Sequence, residues 1–167
     1  MQDEIVDSGA GRDDVEQFLT FVLSGENYGI NILNIREIVE RGNVTKVPMM
    51  PDFIAGVINL RGNVVPVVDL AQRFAKSSSM INKKSSIVIL EIDDEDQKLE
   101  IGVTVDEVNE VLDISAGEIE PTPSFGTRIR TDFISGMGKV GEQLLLLLDI
   151  ENVLSVKELS FVEAMKD

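Results

Sequence analysis

Short apolar runs separated by turn residues recur along the chain. Residues Phe18–Leu23 are rich in β-branched and aromatic side chains and lead into Gly25-Glu26-Asn27, a turn signal. The runs Gly56–Leu60 and Asn63–Val68 are separated only by Arg61-Gly62, which predicts a β-hairpin. Many short strands at close intervals are typical of small barrels or sandwiches, so the pattern predicts an all-β fold.

Short helices are predicted at three places. Residues Ile32, Ile35, Ile38 and Val39 recur at helical spacing, so a short helix is expected to open around Leu33.

The other two helices follow aspartates. Asp69 precedes Leu70–Phe74 and Asp149 precedes Ile150–Leu154. A carboxylate at such a position accepts hydrogen bonds from the first free N–H groups of a helix. We therefore expect both aspartates to be N-caps rather than catalytic groups.

An internal repeat is the most informative feature of the chain. Phe53–Gly56 recurs 80 residues later as Phe133–Gly136, and Val64–Leu70 matches Leu144–Ile150 at the same offset. A second register, with an offset of 73, places residues 29–32 on 102–105 and continues downstream. In it, four apolar or acidic positions of the first copy (Ile35, Glu37, Ile38, Val39) fall on Val108, Glu110, Val111 and Leu112. The order of these matches predicts two copies of one module.

Composition excludes several chemistries. The 167 residues include no His and no Cys, which rules out Ser-His and Cys-His nucleophiles, His/Cys zinc sites and disulfides. The formal charge of −15 argues against binding to nucleic acid or to an anionic membrane. No signal peptide or membrane span is visible, so we expect a cytoplasmic protein without direct membrane insertion.

Charge is unevenly distributed. Residues 41–90 carry seven bases and two acids, whereas residues 91–120 carry twelve acids and one base. Two interpretations stay open: two solvated faces, or a bipolar molecule that packs head to tail or offers different faces to different partners. We expect weak self-association or none.

Candidate cofactor and metal motifs fail on their context. Gly136–Gly141 satisfies G-x-G-x-x-G, but a leucine-rich strand follows where a nucleotide site needs a helix. Asp93–Asp96 lacks the ligand spacing of an EF-hand and is better explained as a turn between Ile92 and Leu99. We expect no catalytic residue, no metal and no cofactor. An acidic metal-binding module stays open as an alternative.

Arg61 stands apart because it is a base at a predicted hairpin tip. One interpretation is an ordinary solvated turn. The other is a guanidinium fork offered to a carboxylate, within the protein or on a partner, and Glu37 is the candidate internal acceptor.

These strings resemble the CheW family, the adaptors of bacterial chemotaxis arrays, over about residues 17 to 160. The strings that carry the resemblance are Tyr28–Leu33, Ile35–Ile38, Pro51–Gly62, Val65–Leu70, Gly102–Asp106 and Leu147–Ile150. Similar domains occur in the kinase CheA and in CheV, but the chain has no room for a kinase or receiver domain, so a stand-alone CheW is the expected match.

The resemblance implies two five-stranded SH3-like barrels on a shared core. We expect a mobile acidic tail over residues 1–16, a first barrel over 17–79, and a second barrel with a C-terminal helical segment over 80–167. It also implies a non-catalytic adaptor, recruited to membrane arrays, that couples the cytoplasmic tips of chemoreceptors to the regulatory domain of the histidine kinase CheA. A ring-filling paralogue or a CheV-like coupling module is the alternative.

The resemblance further implies binding residues. The receptor groove would be lined or supported by Ile35, Glu37, Arg61, Val111 and Gly136. Gly56 falls in the segment associated with kinase contact. Structural roles stay open as alternatives: Val111 as a core residue, and Gly56 and Gly136 as positions where the backbone needs glycine.

Overall fold

The computed structural model describes residues 14–74, 85–94, 97–121 and 133–154, which fold into two β-sheets with a few short helical turns. The strands are β1 Val15–Leu23, β2 Glu26–Asn31, β3 Ile35–Glu40, β4 Ile54–Leu60, β5 Asn63–Asp69, β6 Ser86–Asp94, β7 Gln97–Val105, β8 Glu107–Ser115, β9 Ile119–Glu120, β10 Ile134–Val140 and β11 Gln143–Leu148. The helices are α1 Leu70–Arg73 and α2 Ile150–Val153, with 3-10 turns at Ile32–Asn34 and Ala116–Glu118. The all-β prediction is confirmed.

The two sheets take their strands from different parts of the chain. The five-stranded sheet has the order β3-β6-β7-β5-β4, so it is built within residues 35–105. The six-stranded sheet has the order β9-β10-β11-β2-β1-β8 and combines residues 15–31 with residues 107–148. The two sheets therefore do not divide the chain at a single point, and residue 79, the expected boundary of the two barrels, lies outside the described residues. Residues 1–13 and 155–167, most of the expected tail and C-terminal segment, lie outside the described residues.

The predicted repeat is confirmed strand by strand. The β4–β5 pairing shifts register between Ile54 and Gly56, and the β10–β11 pairing shifts at the equivalent position 80 residues later. Each hairpin then adds one parallel neighbour, with Val67 opposite Gly102 in one sheet and Leu147 opposite Gly29 in the other. The 80-residue offset relates the two hairpins, and the 73-residue offset relates the strands that pair with them in parallel. The same strand pairing in each sheet therefore accounts for both offsets.

Among the described residues, three hydrophobic clusters stabilise this arrangement. The five-stranded sheet has its own cluster around Val65, Val67, Ile87 and Ile89, and the six-stranded sheet has one around Phe18, Ile114, Leu145 and Leu147. A larger cluster combines buried residues of both sheets, from Phe21 and Tyr28 to Leu90, Ile101 and Leu148. Burial of apolar area in this shared cluster stabilises the packing of the two β subdomains on each other.

The capping prediction is confirmed, and a short helix is present around Leu33 as predicted. Asp69 Oδ1 accepts from Ala71 N at 3.0 Å and Gln72 N at 3.4 Å, and Asp149 Oδ1 accepts from Asn152 N at 3.3 Å. The helix around Leu33 is a 3-10 helix over Ile32–Asn34, so the helical spacing of Ile35, Ile38 and Val39 does not extend it. The chain then becomes strand β3, because pairing with β6 satisfies its backbone groups in the sheet.

Candidate interaction site

The β4–β5 hairpin presents Arg61 at its tip. Arg61 and Gly62 both have positive φ angles, +54° and +87°. Two successive residues with positive φ are typical of tight hairpin turns whose twist matches that of the strands. Asn59 Oδ1 accepts a hydrogen bond from Gly62 N at 2.9 Å and so holds the turn. The predicted hairpin is confirmed.

Arg61 forms a two-pronged ion pair with Glu37 on strand β3. Its Nη1 donates to Oε1 at 2.5 Å, and its Nη2 donates to Oε2 at 2.8 Å. The Arg61 side chain is 70% exposed, whereas that of Glu37 is 26% exposed. The predicted internal pairing is therefore present. It places the arginine–carboxylate pair on the surface of the five-stranded sheet, with the Arg61 guanidinium largely exposed to solvent.

The pair shifts the titration of both groups. Hydrogen bonds from the Arg61 guanidinium hold the pKa of the Glu37 carboxyl below its usual value of 4.5, and the carboxylate raises the pKa of Arg61. A carboxyl group with a lowered pKa stays ionised, so the pair persists at neutral pH and is lost only as the pH falls through that lowered pKa.

We expect an NMR titration of the Glu37 side-chain carboxyl carbon to give a pKa below 4.5 in the native protein. The Arg61→Gln variant keeps a polar side chain at the tip but removes the charged fork. In that variant the pKa of Glu37 should rise towards its usual value. An identical titration curve in both proteins would show that the ion pair does not form in solution.

Ile35 lies two residues before Glu37 on the same strand. It pairs with Leu90 and is partly buried against the shared cluster, while Glu37 pairs with Ile89 after a bulge. Ile35 therefore supports the strand that carries Glu37.

Val111 and Gly136 lie on the other sheet. Val111 belongs to strand β8, pairs with Leu19 and is 48% exposed, so the core interpretation of its side chain is wrong. Gly136 is buried, and a Cβ there would lie 2.8 Å from Ile119 Cγ2 and 3.0 Å from the carbonyl oxygen of Glu120. The structure thus brings Glu37 and Arg61 into contact and places these two positions on the neighbouring subdomain.

Gly56, expected in the kinase segment, is also buried. Its φ is +148°, and a Cβ there would lie only 2.1 Å from the carbonyl oxygen of Thr45. Close approach of the Thr45 backbone, which pairs with Val57, explains why glycine occupies this position.

A second group of charges beside Glu37 was not predicted from the sequence. Arg36 contacts Glu91 at 3.1 Å and Glu100 at 3.6 Å, and Lys98 contacts Glu91 at 3.7 Å. These residues come from three adjacent strands, so only the register of β3, β6 and β7 reveals them. Among the described residues, no group of three or more acidic side chains is placed to hold a metal ion, and no helix is long and apolar enough to cross a membrane.

Comparison with known proteins agrees with this architecture. A family model described as the CheW-like domain matches residues 17–158. The chemotaxis protein CheW of Klebsiella aerogenes is 38% identical over 154 residues, covering 92% of this chain and 90% of that protein. The chemotaxis protein CheW of Treponema pallidum is 32% identical over 154 residues, covering 90% and 88%. The crystal structure of the scaffolding protein TtCheW from Thermoanaerobacter tengcongensis matches with a TM-score of 0.76 at 36% identity, covering 86% of this chain and 94% of that one. The chain belongs to the CheW family.

Proposed function

We propose that this protein is a non-catalytic chemotaxis adaptor that couples chemoreceptors to the histidine kinase CheA. The observation that carries the proposal is the family match over residues 17–158, which spans both β subdomains. An adaptor must hold two partners at once, and two subdomains with different surfaces suit that task. The protein would act in the cytoplasm and be recruited to membrane receptor arrays.

The receptor surface is proposed to include Arg61, Glu37 and the supporting Ile35, with Val111 and Gly136 contributed by the other subdomain. The guanidinium group has five N–H donors, of which Glu37 takes two in the observed fork. A helical hairpin with exposed carboxylate or amide oxygens could accept others, while exposed apolar side chains such as Val111 contact its apolar positions. Gly56 is proposed to support the kinase surface by allowing the close backbone approach at Thr45.

We expect Arg61→Glu to weaken binding of a receptor cytoplasmic fragment by about tenfold or more, because it replaces the fork by a like charge beside Glu37. Affinity for the isolated CheA regulatory domain should stay within about twofold, since the proposed kinase surface is separate. Calorimetric titration of each partner into each variant measures both.

A matched control is Lys98→Glu, which makes the same charge change at a side chain that is 69% exposed on the same subdomain. Unchanged receptor affinity in a folded Arg61→Glu protein would contradict the proposed receptor surface. Equal losses in both variants would show that net charge, not Arg61, sets the affinity.

Two of the three alternatives predict results that differ from those of a stand-alone adaptor. A ring-filling paralogue would bind CheA but not receptor, and a CheV-like coupling module would share both partners with the stand-alone adaptors. An acidic metal-binding module would show a melting temperature that rises on adding calcium or magnesium, because a ligand of the native state stabilises it.

A further inference from the structure

The two copies of the repeat differ at the Glu37–Arg61 pair. The 73-residue offset places Glu110 at the position of Glu37, and the 80-residue offset places Gly141 at the position of Arg61. Glu110 lies on β8, the outer strand equivalent to β3, and Gly141 lies at the tip of the β10–β11 hairpin. The second copy therefore keeps the carboxylate, here on a residue exposed to solvent, but has glycine where the first copy has its arginine.

A groove of about 410 Å³ lies beside Glu110, between strand β8 and strand β11 of the hairpin that carries Gly141. Its polar lining consists of Thr20, Asn27, Asn109, Glu110 and Gln143, and its apolar floor consists of Leu112 and Leu145. Thr20 Oγ1 donates to the backbone carbonyl of Glu110 at 2.7 Å and accepts from its N–H at 3.1 Å, which fixes the strand at the groove. The groove thus lies between strand β8 and the β10–β11 hairpin. In the first copy, the equivalent strand β3 and hairpin β4–β5 are joined by the Glu37–Arg61 pair.

The groove offers hydrogen-bond acceptors to a cation. Within the part of the chain that the structure describes, the Glu110 carboxylate and the side-chain amides of Asn27, Asn109 and Gln143 form no hydrogen bond or ion pair. Strand β8 also carries Glu107 and Asp113 and no base, so the local field is negative. A planar guanidinium with several donors matches spread carboxylate and amide oxygens better than the compact ammonium group of lysine does.

We infer that this groove is a docking site for an arginine side chain of a partner protein, with Glu110 as the charged acceptor. The first copy provides the template, because there the chain's own Arg61 occupies the equivalent position in a two-pronged pair. The inference goes beyond the proposed adaptor function, since it assigns a site on the six-stranded sheet without using the receptor or the kinase.

A partner protein is favoured over a second copy of this chain. Two copies that each carry a formal charge of −15 repel each other. Arg61 is already engaged by Glu37, and Arg36 by Glu91 and Glu100, so their transfer to another molecule would break existing pairs.

The test is an NMR titration with N-acetylarginine amide as the probe, carried up to its solubility limit. We expect the side-chain amide signals of Asn27, Asn109 and Gln143 to shift with the arginine probe. The isosteric but neutral N-acetylcitrulline amide should leave them unchanged. Glu110→Gln should weaken the arginine response by about tenfold, because a charge-assisted pair becomes a neutral one.

In a second variant, Gly141→Arg, a side chain of the protein itself would occupy the groove. Gly141 has a φ of +62°, close to the +54° that Arg61 adopts, so Gly141→Arg should be tolerated by the turn. It should recreate the first copy's ion pair, visible as an arginine Nε–H signal protected from exchange, and should abolish the response to the probe.

Four outcomes would overturn the inference. The arginine and citrulline probes could cause the same shifts or none, or the Gly141→Arg protein could bind the probe as well as the natural sequence does. Groove signals that move when the protein alone is concentrated would assign the groove to a second copy instead of a partner.

Discussion

Replacing Phe74 by alanine should lower the free energy of unfolding by about 3–5 kcal/mol, the usual cost of removing a fully buried phenylalanine. Phe74 is 2% exposed and follows helix α1 at the end of the five-stranded sheet. Its ring centroid lies 5.6 Å from that of Tyr28 and 5.8 Å from that of Phe133, and both of those residues belong to the other subdomain. The substitution would therefore leave a cavity in the cluster that both sheets share.

The measurement is chemical denaturation followed by circular dichroism and by a probe in each subdomain. We expect a single transition for the natural protein, because the shared cluster couples the two sheets. The Met49→Ala control, at a side chain that is 100% exposed, should change stability by less than about 0.5 kcal/mol. A Phe74→Ala protein with nearly unchanged stability would contradict the account of the shared cluster.

Gly56→Ala should be the most damaging glycine substitution at the two equivalent hairpins, costing about 3 kcal/mol. A side chain at φ +148° adds backbone strain, and its Cβ would meet Thr45 O at 2.1 Å. Moving Thr45 away would also break its two hydrogen bonds with Val57, at 2.8 and 2.9 Å, each of which contributes about 1 kcal/mol. A lower melting temperature, by roughly 6–12 °C for a chain of this size, measures the loss.

Gly136→Ala is the matched control in the second copy. A Cβ there would lie 2.8 Å from a methyl group of Ile119 and 3.0 Å from the Glu120 carbonyl oxygen, both farther than the 2.1 Å to Thr45 O at Gly56, and Gly136 does not have the positive φ that strains Gly56. We therefore expect a smaller loss there, and equal losses would contradict the assigned cause. Weaker kinase binding by Gly56→Ala would then reflect the displaced Thr45 segment, so Gly56 itself need not touch the kinase.

Local features of the fold could be predicted from the sequence because their causes lie within a few residues. Asp69 and Asp149 are caps because each stands directly before a short apolar helix, and Arg61-Gly62 forms a turn because it separates two apolar strands. The repeat was visible because both copies need similar residues at the same ladder positions. Which strands share a sheet could not be predicted. The hairpins β1–β2 and β6–β7 are equivalent in the repeat, and so are β4–β5 and β10–β11, so the sequence pattern allows either member of one pair to join either member of the other.

The candidate site was predictable to a similar extent. The Glu37–Arg61 pair combines a base at a turn with an acid on an edge strand, and both signals are local. The group around Arg36 depends on the register of three strands, which the spacing of charges does not specify. The groove beside Glu110 can be recognised only by comparing the two copies, because the second copy has glycine where the first has Arg61.

Whether this protein couples receptors to the kinase can be measured by reconstitution. Receptor-containing membranes are mixed with CheA, with and without the protein, then sedimented, and autophosphorylation of the kinase in the pellet is measured. We expect the protein to enter the pellet with the receptors and to raise CheA autophosphorylation, and we expect Arg61→Glu to reduce both effects. A protein that sediments with neither partner and leaves kinase activity unchanged would contradict the proposed coupling function.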